Sequence, residues 1–284
     1  MSYPEKHIAL LCNPTRENEK ALRIANNIEI LLSGIDIPHK IFTSTWPESF
    51  NGFTEVWIIG GDGTMNWFIN QYPDIRLPLA LFAGGAGNDF HWMLYGNKTT
   101  EQQVDLVLQS TPQLVDAGTC NEKLFLNGVG IGFDGAIVKT LINKKKNPGK
   151  VSYLTSVFKR ILFYKGIEHE VKIDAYMLRQ KLLMINVANG KTEGGGFQVA
   201  PKAELQDGLL DINIVKELSS LKRLFYLSAI EKGKHLHLPL IEYHHARRIE
   251  IRTSTLLPAH LDGEYFEADH FVIECLPKRF SFLR

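Results

Sequence analysis

The stretch "WIIGGDGTMNWFIN", residues 57 to 70, decides the fold. Its first half, extended by the preceding "EV", is a short apolar run that reads as a buried strand, and its second half has the spacing of an amphipathic helix. Between them stand Gly60, Gly61 and Gly63, with a single acidic side chain, Asp62, in their midst. Ligands of open α/β sheets sit beyond the carboxyl ends of the strands, where a helix begins. Glycines at that point let a ligand approach the backbone N–H groups, and the helix amino terminus favours negative charge, so the segment predicts a phosphate cradle. Asp62 would repel phosphate unless a divalent metal or ordered water lies between them. The alternative is structural: Asp62 or Thr64 caps the helix, and the glycines form a turn. No Lys-Ser/Thr pair follows the glycines, so the pattern is neither the P-loop nor the dinucleotide-binding fingerprint.

Working outward, "HIALLCNP" reads as a buried strand, and residues 17 to 33 follow with helical spacing at Ala21, Ile24, Ile28, Leu31 and Leu32 until Gly34 stops the pattern. "IPHKIFT" is a second strand. The segment "TSTWPESFNG" then leaves little room for a crossover helix before the strand "EVWIIG". Beyond the helix "MNWFINQY" come a strand "PLALFA", a second glycine cluster "GGAGNDF" and a helix around "TEQQVDLVLQS". This alternation predicts a parallel sheet with helices on its faces, a Rossmann-like α/β domain over residues 1 to 116. From about residue 113 closely spaced strand-like runs take over, "QLVDAGTC", "KLFLNGVGIGF", "HEVKIDAYML", "KLLMINVANG", "GLLDINIV", "RRIEIRT" and "HFVIECL". They predict an antiparallel, β-rich domain over 117 to 284 with helices near 134 to 144, 151 to 164 and 219 to 232. The extreme carboxyl terminus is expected to return to the first domain.

Composition sets the outer bounds. A chain of 284 residues with 44% hydrophobic and 22% charged residues is ordinary globular material, long enough for two cores. The formal charge of +1 gives no chain-wide attraction to polyanions, so no nucleic-acid partner is expected. Cys12, Cys120 and Cys275, odd in number and far apart, argue against a disulfide framework and against a compact zinc site. They read as buried core residues of a protein in a reducing compartment. The start "MSYPEKHIALLCNP" lacks the features of a signal peptide and no run reaches the ~20 apolar residues of a membrane span, so a cytoplasmic location is expected. The basic run "NKKKNPGK" reads as a solvated loop, or alternatively as a patch for a lipid headgroup or membrane surface.

"GGDGTMN" followed by "GGAGNDF" resembles the diacylglycerol kinase catalytic domain family, which includes bacterial lipid kinases, diacylglycerol kinases and sphingosine kinases. "NPTRE", "NGVGIGFDGAIV", "NGKTEGGGFQVAPKAELQDGLLDINIV" and "LDGEYFE" extend the resemblance along the chain in the family's order. The resemblance implies a nucleotide-binding α/β domain and a β-sandwich-like, acceptor-binding domain, with ATP and a lipid hydroxyl meeting in the cleft between them. It implies that Gly60, Gly61, Asp62, Gly63 and Thr64 bind the ATP phosphates and that Asn13 and Thr45, or Thr43, line the same site. Gly85, Asn88 and Asp89 would face them, with Asp62 and Asp89 around Mg2+. Glu264 would be the general base, with Asp262 orienting it or assisting the metal; read alone, "LDGEYF" is a turn with an acidic tip. Asp207, with the main-chain carbonyl of Leu209, would hold a structural metal; read alone, it begins an Asp-Gly turn. Two departures stand out: Gly85-Ala86-Gly87 lacks the family's threonine, and the helix after the second strand shrinks to "WPESFNGF".

The acceptor is therefore expected to be diacylglycerol or a related lipid. Phe133, Ile137, Val157, Phe158, Leu162 and Phe163 read as core, or alternatively as the lining of an apolar groove. Lys144, Lys145, Lys146 and Lys150 would draw the protein transiently to anionic headgroups as a peripheral membrane protein. By family analogy a homodimer is expected. Two rival readings stay open: a kinase of a soluble acceptor, since "GGDGT" also resembles the NAD kinase signature, and an inactive nucleotide- or lipid-binding homologue. Asp62, Asp89 and Glu264 are all present, which counts against the last.

Overall fold

The structure, a computed structural model, describes residues 6–12, 19–142 and 163–284. The chain divides into two compact units, Met1–Val115 with Lys278–Arg284, and Asp116–Pro277.

The first unit is built on four parallel strands, β1 (Ile8–Cys12), β2 (His39–Phe42), β3 (Glu55–Gly60) and β4 (Leu79–Ala83), in the order β4-β3-β1-β2. Every residue of β1 and β3 is buried, as their unbroken apolar runs require of strands covered on both faces. Helix α1 (Glu19–Ser33) crosses from β1 to β2 and buries Ala21, Ala25, Ile28 and Leu32. Helix α2 (Asp62–Gln71) crosses from β3 to β4. Two further helices, α3 (Asp89–Tyr95) and α4 (Thr100–Gln109), follow; Thr99 and Gln102 close α4 with a reciprocal capping box.

No helix joins β2 to β3, as the short spacer requires. Its place is taken by aromatic packing: Trp46 lies edge-on to Trp67 at 4.7 Å, and Phe50 packs on Phe68 and Tyr72 of the α2 region. The Tyr72 hydroxyl donates to Pro47 O at 2.8 Å and Trp46 Nε1 to Cys12 O at 2.9 Å, so the spacer is tied down at Trp46 and Pro47.

In the second unit the strands β6 (Lys123–Phe125), β7 (Gly128–Gly132), β8 (Ile167–Ile173), β9 (Tyr176–Ala188), β10 (Leu210–Lys216), β11 (Ile241–Ala246), β12 (Arg248–Leu261) and β13 (Glu264–Leu283) dominate. β5 (Pro112–Cys120) leads into it and turns back through β6. The order is β11-β10-β9-β7-β12-β13, with antiparallel pairings, and β8 pairs with both β9 and β12. Helices α5 (Phe133–Ile142) and α6 (Ser220–Glu231) complete it. In register, Leu261, Val129, Val187 and Ile212 line up across four strands and belong to one apolar core, as do Ala259, Ile131, Ile185 and Ile214. The row between them, His260, Gly130, Asn186 and Asn213, faces the other way, because successive side chains alternate across a sheet.

Several runs differ from the sequence reading. "HEVKIDAYML" is a hairpin, turning at Asp174 with φ +48°, so its last residues open the long strand β9. "RRIEIRT" and "HFVIECL" are parts of β12 and β13, which reach Leu261 and Leu283. The last strand crosses the unit boundary: up to Pro277 it belongs to the second unit, and from Lys278 it completes the first, where Phe282 pairs with Leu79. Of the candidate groove residues, Phe133 is core and Ile137 packs against core, while Phe163 is exposed. Val157, Phe158, Leu162 and the four lysines between 144 and 150 lie outside the described residues.

Candidate functional site

The strand order places a topological switch in the first unit. From β1 the chain moves outward to β2, then returns to the other side of β1 for β3 and β4. The reversal falls between β1 and β3, and the carboxyl ends there are Cys12 and Gly60. A crevice at such a point is where α/β sheets bind ligands. Asn13, next along, lies outside the described residues.

The two glycine clusters meet at this point, backbone against backbone. A Cβ on Gly61 would stand 2.4 Å from Gly87 O and 2.9 Å from Gly85 Cα, and one on Gly85 would stand 2.4 Å from Gly61 Cα. No side chain fits at either position. Asp62 N donates to Gly87 O at 3.1 Å, and Gly84 N donates to Gly60 O at 2.8 Å. Asn88 folds over the second loop, its Oδ1 accepting from Gly85 N at 3.1 Å and its Nδ2 donating to Gly85 O at 2.9 Å.

Asp62 locks the clasp. Its Oδ2 accepts from Asp89 N at 2.9 Å and its Oδ1 from Phe90 N at 3.0 Å. Those are the first two amides of α3, so the carboxylate caps the next helix rather than its own, with the charge placed favourably on the helix dipole. Asp89 is buried beside it. Each Asp62 oxygen keeps a second lone pair, and carboxylate oxygens are the donors a hard cation such as Mg2+ selects. Thr45 and Ala86 are exposed and Thr64 is half-buried. Lys20, which has no place in the sequence reading, reaches Gly85 O at 3.5 Å and sets a cation beside the glycine loop.

The acidic motif of the second unit forms a two-residue hairpin turn. Asp262 and Gly263 have φ +48° and +86°, and Leu261 pairs with Glu264 across them. That is the conformation Asp-Gly favours between twisted strands. The turn separates the environments of the two carboxylates. Asp262 is buried and accepts N–H bonds from Leu126 at 2.9 Å, Asn127 at 2.9 Å and Gly128 at 3.0 Å. Glu264 is exposed at the head of β13.

Around the turn lies a buried polar group with no counterpart in the sequence reading. His260 Nε2 stands 3.1 Å from Asp134 Oδ2 and 3.9 Å from Glu193 Oε2. Burial alone would lower the imidazole pKa, but the charge and hydrogen bond of Asp134, then Glu193 and Asp262, raise it to about 9. Asp207 is exposed, and its Oδ1 accepts from Leu209 N at 2.9 Å, closing a local turn. Asp116, read only as part of a strand, is fully buried, and its Oδ2 accepts from Gly208 N at 2.7 Å. A carboxylate inside the apolar run "LVDAGTC" was its one signal.

This arrangement defines a two-unit protein with a switch-point glycine clasp and an acidic hairpin, and comparison with known proteins gives it a family. The Diacylglycerol kinase catalytic domain family matches residues 7–120, and the YegS C-terminal NAD kinase beta sandwich-like domain matches residues 127–284. The chain belongs to the diacylglycerol kinase catalytic domain family. A protein of Shewanella frigidimarina named "Probable lipid kinase YegS-like" is 27% identical over 230 residues, 79% of this chain and 74% of its own length. A "Diacylglycerol kinase" of Bacillus subtilis is 26% identical over 210 residues, 72% of this chain and 69% of that one. The crystal structure of a diacylglycerol kinase from Bacillus anthracis shares the fold, with a TM-score of 0.73 at 21% identity, covering 98% and 96% of the two chains. An NAD kinase from Archaeoglobus fulgidus, solved in complex with ATP, has a TM-score of 0.55 at 14% identity over 98% and 93%.

Proposed function

We propose that this chain is an ATP-dependent lipid kinase that transfers the γ-phosphate to a hydroxyl of diacylglycerol or a related lipid. The observation that carries the reading is the glycine clasp at the sheet's switch point, with Asp62 and Asp89 adjacent in it. Gly60, Gly61, Gly63 and Thr64 would receive the phosphates at the start of α2, Lys20 would offset part of their charge, and Gly85, Asn88, Asn13 and Thr45 would complete the nucleotide site. Asp62 and Asp89 would hold Mg2+, which when bound neutralises charge developing on the transferred phosphoryl group. In the second unit Glu264, exposed on a rigid turn, would accept the proton of the acceptor hydroxyl as that oxygen attacks the γ-phosphorus and ADP departs. Asp262 would act through the backbone, holding residues 126 to 128 and the turn in place. Asp207 and the Leu209 carbonyl would form a structural metal site at the turn before β10. Docking at a lipid surface would be transient, since no helix among the described residues is long and apolar enough to cross a membrane.

The test is transfer of labelled phosphate from ATP, with Mg2+, to a panel of lipids presented in mixed micelles beside NAD. Wild-type protein is expected to label a glycerolipid hydroxyl. Glu264→Gln is expected to lower kcat by about 10²-fold or more with an unchanged fold, the loss typical of a missing general base. Label on NAD alone, or on no acceptor, overturns the reading.

A further inference from the structure

Asp134, Glu193 and His260 come from α5, the loop after β9 and the end of β12, and one donor atom from each lies within 4.8 Å of the other two. The backbone is cleared to let them meet. A Cβ on Gly130 would stand 2.3 Å from His260 Nε2 and 2.4 Å from Asp134 Oδ2, and one on Gly128 would stand 2.1 Å from Glu193 Oε1. Gly130 lies directly between His260 and Asn186 in the cross-strand row, so its missing side chain is what opens the space above the sheet.

An independent observation concerns Asn186, which is 2% exposed. Its Nδ2 donates to Glu193 Oε2 at 3.1 Å, while its Oδ1 is buried with no hydrogen-bond partner. Turned over, the amide would set Oδ1 against the carboxylate, a repulsive contact unless a cation lies between them.

We propose that Asp134, Glu193 and His260, with the Asn186 amide turned over to present its oxygen, bind one borderline divalent transition-metal ion. Ligand bonds of about 2.0–2.2 Å place neighbouring donors about 3 to 4 Å apart, which the 3.1 and 3.9 Å separations already approach. One imidazole among carboxylates favours Zn2+ or Mn2+ over Mg2+, which prefers oxygen alone. Three side-chain donors leave coordination positions open. Such an ion would sit two residues from Asp262 and so would stiffen the turn that carries Glu264, apart from any ion that accompanies ATP.

The experiment uses the full chain, stripped with chelator and dialysed to equilibrium against Zn2+, Mn2+ or Mg2+ without nucleotide, with bound metal counted by mass spectrometry. One Zn2+ or Mn2+ per chain is expected in the Asp207→Asn background, which removes the structural site proposed above, at least 10-fold weaker when Glu193→Gln or His260→Gln is added, and unchanged when Asp62→Asn is added. Should either variant fail to fold, Co2+ added to wild type gives a visible d–d band, which excess Zn2+ is expected to bleach. No ion taken up above the Mg2+ background, binding that survives both substitutions, or binding lost in Asp62→Asn overturns the proposal. The cluster would then be a proton-bridged ion pair.

Discussion

Removing the Asp62 carboxylate is expected to loosen the first unit before it affects anything else. Two N–H groups at the start of α3 depend on it, at 2.9 and 3.0 Å. Hydrogen bonds to a charged acceptor contribute about 1.5–3 kcal/mol each, and the half-exposed position lets water replace part of that. Asp62→Ala is therefore expected to destabilise the unit by about 2–3 kcal/mol. Asp62→Asn keeps one acceptor oxygen but sets an N–H against the other amide, for about half that loss. The assay is selective, because all four tryptophans, Trp46, Trp57, Trp67 and Trp92, lie in the first unit. Their fluorescence during urea unfolding follows that unit alone. With a slope of about 1–3 kcal/mol per molar urea, the Ala midpoint should fall by roughly 1 M or more. A midpoint equal to wild type in Asp62→Ala would show that the carboxylate does not hold α3, and the account of the glycine clasp would fail with it.

Ala86→Thr restores a hydroxyl at an exposed position of the second glycine loop, and one added hydrogen bond of about 1 kcal/mol is expected to lower KM for ATP roughly 5-fold with kcat little changed; an unchanged KM refutes a nucleotide contact there. Burial lowers the pKa of His91, His169 and His235, so the unfolded chain binds protons that the folded one does not. Their stability contribution is full above the ordinary imidazole value and is lost as pH falls through the lowered folded values. Tm should thus drop between pH 7 and pH 5, less steeply in His169→Gln, and a flat profile would contradict this. Cys12, Cys120 and Cys275 are buried and form no disulfide, and burial pushes the thiols of Cys120 and Cys275 up to about 12. Ellman's reagent is expected to react with native protein only at the rate of unfolding; a burst of one thiol would show an open site.

The strands of the first unit were legible because their apolar runs are continuous, and the missing crossover helix because twelve residues between strands leave no room for one once Pro47, Gly52 and the serines are placed. Helix α3 escaped because "NDFHWMLYG" has no cap of its own; the cap is Asp62, which precedes it by more than twenty positions. β11, "IEYHHA", escaped because its polar residues hide the alternation, and the β8–β9 hairpin because Asp174 and Ala175 are a weak turn signal. At the site, the glycines were legible as places where side chains are excluded. What excludes them was not: Gly61 and Gly85 exclude side chains for each other, a contact between loops that each look like an ordinary turn. Asp134, Glu193 and His260 carry no shared motif, and only the register of β12, β7 and β9 brings them together.

The split of the final strand between the two units bears on how the chain is made. Phe282 pairs with Leu79 and stacks on Phe90, the Tyr95 hydroxyl donates to Leu283 O, and Arg279 bridges to Asp74. A ribosome delivering about 5–20 residues per second must first emit the whole second unit, on the order of ten seconds or more, before these partners exist. Until then β4 has a bare edge and Phe90 an open flank, so the nascent first unit waits, unfinished, on residues translated after the whole of the second.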